Sequence, residues 1–276
     1  MQEKFYEHHP FLLGTMPDVG KEEIRKNFKP FDASPAKRKE RTDAAKTLLS
    51  ELKSLHITNS ELKTREARAL AQLEYFLDHN FDFPLEHYDK GLWMLGPDYL
   101  CNHISCDIGN HLKTIVKRFT PETLKDLEMV GNWFLDFGKT FDQLIENLAL
   151  GVSAGMVQPR EVCLASIDAL EQAYPLISEN GPEGVLEEYF GWYVVSGNFL
   201  SSIDDNIKTA WKKKYEKSVE QSMEKALVEG FGKPWKKYVD YLKNEHLQHC
   251  VTSEVASGLS RLPLDYVYVN GKPDQE

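Results

Sequence analysis

Nothing in this sequence resembles a bilayer-spanning segment: no apolar run approaches the roughly 18 to 20 residues that a spanning helix needs. The opening residues MQEKFYEHHP are charged and lack the apolar core of a secretory signal. Positive charge is also short. The 33 lysines and arginines are outnumbered by 43 acids, leaving a net charge of −10. That balance disfavours a nucleic-acid ligand, because phosphate binding needs a basic surface, and it disfavours anionic lipid for the same reason. Cysteine is sparse, with four residues at 101, 106, 163 and 250 in no disulfide-framework spacing. They read as thiols of a reducing compartment, so the expected location is the cytoplasm. The signatures of common chemistries are missing too. There is no GxSxG elbow, no phosphate-cradling GxxxxGK[ST] or GxGxxG loop, no HExxH and no paired CxxC.

What remains is a chain of 276 residues, 41% hydrophobic, long enough to bury a substantial core. Its apolar residues recur at helical spacing. Ser34-Pro35 pairs a cap with a proline at the first helical position, and Leu48, Leu49, Leu52 and Leu55 follow. Ser60 is the expected cap of a second helix carrying Leu62, Ala69, Leu70, Leu73, Phe76 and Leu77. Thr120-Pro121-Glu122 marks another start, and Phe141, Leu144, Ile145, Leu148 and Val152 extend an apolar face. Further helices are expected after Pro159, across 204–228, and from Lys233 to a C-cap at Gly258. Only DYVYV, at 265–269, alternates like a strand. The fold class is therefore all-α, with antiparallel helix pairs packed as an irregular bundle and a long aromatic loop near 81–99. The expected layout is an irregular arm over 1–33 with one short helix, a single helical domain over 34–262, and a polar turn or tail over 263–276 that stops without a closing element.

Two clusters hold most of the chemistry-bearing side chains. In NHISCDIGNH (102–111), helical projection puts His103, Cys106, Asp107 and Asn110 on one face with His111 at its edge, opposite Ile104, Ile108, Leu112 and Ile115. His103, Cys106 and His111 would be the metal ligands here, but H-x2-C-x4-H is no recognised zinc spacing, and a solvated helix face is the simpler expectation. In EHLQHC (245–250), His246, His249 and Cys250 fall on the face of Trp235, Val239 and Leu242, so these histidines are expected to point inward. Cys163 reads as a buried structural thiol. Lys212-Lys213-Lys214 reads as a solvated face.

The segment NLALGVSAGMVQPREVCLASIDALE, 147–171, has a small-residue surface at Gly151, Ala154 and Gly155 and a helix restart at Pro159. Together with WKKYVDYLKNEHL and GLSRLP further on, and with the order of the upstream helices, it resembles the family catalogued as domain of unknown function 885. The resemblance runs from about residue 35 to 268. It implies a mostly helical protein akin to zinc-dependent peptidases or related hydrolases, with the active site in a deep cleft. The family's histidine–glutamate metal signature lies in a C-terminal half, and no such arrangement occurs in this sequence. The chain is thus expected to be an N-terminal part, inactive by itself and without a cofactor, with zinc present only alongside the missing half. That half, or another helical protein, is the expected partner, and a homo-oligomer is an alternative. Arg160 and Arg261, which sit in the matching motifs, and His246 and His249 are the candidates for lining a substrate cleft, the arginines by gripping a carboxylate. The competing expectation is a complete, non-catalytic helical binding or scaffold protein.

Overall fold

The structure, a computed structural model, describes residues 2–57, 62–81, 92–101 and 103–252, together with the backbone of 267–269 and 272–274. Arg261, the cap expected at Ser60, most of the aromatic loop and the C-cap expected at Gly258 lie outside the described residues.

The fold is all-α, organised around one long helix. Helix α6, Leu124–Ser153, is 30 residues long, which corresponds to about 45 Å at 1.5 Å per residue. Leu127, Val130, Phe134, Phe137, Phe141, Leu144 and Leu148 recur every three or four positions, and all are buried. A stripe of that length needs cover along its whole extent, and several elements supply it. Helix α5, Ile104–Arg118, packs on it with Ile108, Leu112 and Ile115. Helices α12, Val219–Leu227, and α13, Lys233–Tyr241, pack on it together with the π-turn Val228–Gly232 that joins them. Gly230 makes this approach possible, since a Cβ there would overlap the Phe134 carbonyl of α6. Phe231, Trp235 and Tyr238 then reach the common core with Phe141 and Tyr174.

The first 33 residues hold two helices, α1 (Gln2–His8) and α2 (Lys21–Asn27), and a 3-10 turn at Pro10–Thr15, where one short helix was expected. Their anchors are remote in sequence. Arg118 donates to the carbonyls of Gly14, Met16, Pro17 and Val19. Arg25 pairs with Asp126, with Nε 2.9 Å from Oδ1. The extended segment after α2 is stitched to α6 by three side chains on one helical face. Thr140 donates to the Phe31 carbonyl, Gln143 accepts from the Ala33 amide, and Asn147 donates to the Ala33 carbonyl.

Helix α3, Pro35–Ser54, starts as expected, with the Ser34 hydroxyl accepting from the Lys37 amide. Helix α4 is Thr64–Tyr75. Helix α7, Arg160–Ala173, follows Pro159, and α8, Pro175–Asn180, ends at Gly181, whose φ of 78° suits glycine. Two short helices, α9 (Tyr189–Val195) and α10 (Asn198–Ser201), complete the middle of the chain.

Three expected boundaries move. The cap of α6 is Thr123, not Thr120, because Thr123 and Asp126 satisfy each other's backbone amides in a capping box. The single charged helix expected across 204–228 is two, α11 (Asp205–Tyr215) and α12. Glu216 at φ 56° breaks it and Ser218 recaps it. The helix from Lys233 passes into a π-turn at Leu242–His246 and then into tight turns. Near the C-terminus, β1 (Val267–Val269) pairs antiparallel with β2 (Lys272–Asp274). A hairpin thus stands where a strand followed by an open polar turn was expected.

Candidate functional site

Among the described residues, a group of chemistry-bearing side chains forms where the start of α7 meets the turns after α13. The backbone sets it. The Arg160 amide donates to the Val251 carbonyl at 2.6 Å and the Val251 amide to the Gln158 carbonyl at 3.2 Å, a two-bond bridge between distant segments. Arg160 reinforces it, with Nη1 donating to the Leu247 carbonyl at 3.2 Å while the residue stays exposed. The bridge places the Cα atoms of Cys163 and Cys250 6.7 Å apart, and their sulfurs are bonded. A second disulfide joins Cys101 to Cys106. The expectation of four thiols is therefore corrected, and with it goes the argument from cysteine to a reducing compartment. The sequence concealed the first pairing because its partners are 87 positions apart.

His246 lies beside the Cys163–Cys250 pair and is 2% exposed, as its helical face suggested. One ligand-type atom from each of Cys163, His246 and Cys250 lies within 4.8 Å of the other two. Burial, with some help from repulsion by His249, pushes the His246 imidazole down to about 4, so it is neutral near pH 7. Its Nδ1 is buried and has no hydrogen-bond partner among the described residues. His249 is exposed, contrary to the inward orientation expected. After the π-turn at Leu242–His246 the chain leaves the helix for tight turns, so helical projection no longer decides which way His249 faces.

The first cluster is split. Asp107 and Asn110 are exposed and bonded to each other, as a solvated face would have them. His103, Cys106 and His111 are half-buried instead; the Pro10–Thr15 turn packs on α5, and Phe11 stands edge-on to His111 with ring centroids 5.8 Å apart. They are committed separately. His103 caps α5, its Nδ1 accepting from the Ser105 amide. Cys106 is in its disulfide, and His111 sits 3.2 Å from Asp107. Burial lowers the His103 imidazole to about 4, with Arg38 adding repulsion and Asp98 opposing. Burial also lowers that of His111, against the pull of Asp107. The two clusters do not pool their ligands, since the group of three draws its second cysteine from α7.

A cleft of about 400 Å³ opens elsewhere, between the N-terminal segment, α3 and α6. Phe28, Phe31 and Trp133 line it together with Lys29, Lys37 and Lys139, and acids stand among them. Arg160, His246 and His249 do not border it. The sequence hid this cleft because Trp133, Asp136, Lys139 and Gln143 of α6 meet N-terminal and α3 residues that are far away along the chain.

With the geometry in place, comparison with known families is informative. The family model described as a bacterial protein of unknown function, DUF885, matches residues 19–261. The chain belongs to the DUF885 family. The match covers α2 through α13, so every helix that builds the core is part of the DUF885 fold. No curated protein and no solved structure matches the chain. The residues present do not fit the histidine–glutamate metal signature implied by the resemblance, since no H-E-x-x-x-x-H-H arrangement occurs in the 276 residues.

Proposed function

We propose that this chain supplies the helical framework of a peptidase-like hydrolase whose catalytic metal is held by residues other than its own. The observation that carries this reading is a DUF885 match across 19–261 in a sequence without the histidine–glutamate signature. In this reading zinc belongs to a separate C-terminal part, which is also the natural partner. The aromatic and lysine-lined cleft then offers a place for an extended substrate carrying an acidic group. Arg160 acts through the fold, because its guanidinium is held by a helix-end carbonyl. The test is direct. The purified 276-residue chain is expected to cleave no peptide, with or without zinc. Adding a chain that bears the signature is expected to restore cleavage. Metal-dependent cleavage by the chain alone, abolished by a chelator, overturns the proposal.

A second reading, a non-catalytic helical binding or scaffold protein, draws on α9. Tyr189 and Trp192 lie three positions apart, 61% and 50% exposed. Large exposed aromatics at helical spacing suit a protein contact. Replacing both with serine should abolish self-association or dye binding. Unchanged sedimentation and dye binding remove this reading.

A further inference from the structure

Three buried side chains that the hydrolase reading leaves unused converge on one point. Cys163, His246 and Cys250 are 3%, 2% and 7% exposed, and their donor atoms lie within 4.8 Å of one another. Two sulfurs and an imidazole are a donor set that zinc and related divalent cations favour. His246 adds an independent sign, because buried polar atoms in folded proteins nearly always have a partner and its Nδ1 has none among the described residues. The surrounding backbone is also held without the sulfur–sulfur bond, through the hydrogen bonds between Arg160 and Val251 and between Val251 and Gln158. Opening the disulfide therefore leaves both thiols in place.

We propose that this locus has two states: the Cys163–Cys250 disulfide and, once reduced, a Cys163–His246–Cys250 site for a zinc-class divalent cation. The chemistry balances with a dithiol as reductant. Two electrons and two protons pass to the disulfide, its S–S bond breaks to give two thiols, and the dithiol closes to its own disulfide. Cation binding then releases the two thiol protons to solvent. In a tetrahedral site with metal–sulfur bonds near 2.3 Å, the sulfurs stand about 3.8 Å apart. Cα atoms 6.7 Å apart leave room for that separation. Three donors come from the described residues, which leaves the fourth position to water or to a residue outside them. The site owes nothing to the histidine–glutamate signature and stands whether or not the hydrolase reading holds.

The test uses the whole chain, reduced with a dithiol, freed of it anaerobically and titrated with Co²⁺. The expected result is about one equivalent bound with thiolate-to-metal charge-transfer bands and intense tetrahedral visible bands, displaced by Zn²⁺. The oxidised chain should show none of these. The Cys101→Ser/Cys106→Ser variant should keep the bands and Cys163→Ser should lose them. His246→Gln should weaken binding by at least the roughly 10- to 100-fold typical of losing an outer-shell partner. Should Cys163→Ser fail to fold by near-ultraviolet circular dichroism, the wild type and the Cys101/Cys106 variant decide the matter by themselves. Absence of the bands in the reduced chain, their loss with Cys101 and Cys106, or resistance of the 163–250 disulfide to a dithiol in the folded chain each overturns the proposal.

Discussion

Asp126 ties the N-terminal segment to the central helix, and replacing it by alanine should cost far more than a surface charge would. Its carboxylate closes the capping box of α6, accepting from the Glu122 and Thr123 amides at 2.9 and 3.1 Å. It also receives Arg25, at 2.9 Å from Nε and 3.2 Å from Nη2. Losing a cap costs about 1 kcal/mol. Losing a charge-assisted pair costs about 1.5 to 3 kcal/mol. The Arg25 side chain is 26% exposed and regains water, so the lower end applies to that part. The expected total is about 3 kcal/mol, which lowers the melting temperature of a chain this size by roughly 5 °C. Urea unfolding of Asp126→Ala, Arg25→Ala and the double variant measures it, with a coupling of about 1 to 2 kcal/mol between the two sites. The acid limb supplies a second check. Burial pushes the Asp126 carboxyl up, but Arg25 and the backbone and Thr123 donors outweigh burial and hold it below its ordinary 3.8. Its contribution is thus present above pH 3.8 and lost as pH falls through the lower folded value, and Asp126→Ala should lack that slope. A cost under about 1 kcal/mol for Asp126→Ala, or strict additivity with Arg25→Ala, would refute the reasoning.

Three further outcomes are expected. His103 has a folded value of about 4 against an ordinary 6.5, so its contribution is complete above 6.5 and drains away as pH falls towards 4. His103→Asn keeps a good cap, and its melting temperature should fall less steeply across that window; parallel pH profiles would sink the assignment. Gly230→Ala drives a methyl into the Phe134 carbonyl and should destabilise by about 2 kcal/mol or more, read by urea unfolding; an unchanged midpoint would mean that the Val228–Gly232 turn and α6 are not in backbone contact. Reducing the chain in the presence of a chelator opens a loop of 87 positions and should remove up to about 4.5 kcal/mol, part of which zinc restores; equal stability of the oxidised and reduced chains would show that the bond constrains nothing.

Several of these features were written locally. The α6 stripe, the Ser34-Pro35 start and the inward face of His246 follow from spacing and capping chemistry within a few residues. Even the boundaries that differ from expectation have local signals: T-x-x-D at 123–126 and S-x-x-Q at 218–221 are capping boxes, and they compete with Thr120 and with the charged run across 204–228. His249 faces solvent because the helix ends at His246 and tight turns follow, and no residue in EHLQHC marks that end locally.

The sequence by itself determined the helical class, the apolar stripe on which the core is built, and the absence of a histidine–glutamate metal signature, because each is a matter of residue type at short range. Only the tertiary structure decided which cysteines pair, that the first 33 residues are pinned to α5 and α6, and that Cys163, His246 and Cys250 share one buried point. Those outcomes depend on contacts between segments tens to more than a hundred positions apart, such as Arg25 with Asp126 and Arg160 with Val251. Such contacts are selected by the packing of the whole core, and no local pattern encodes them.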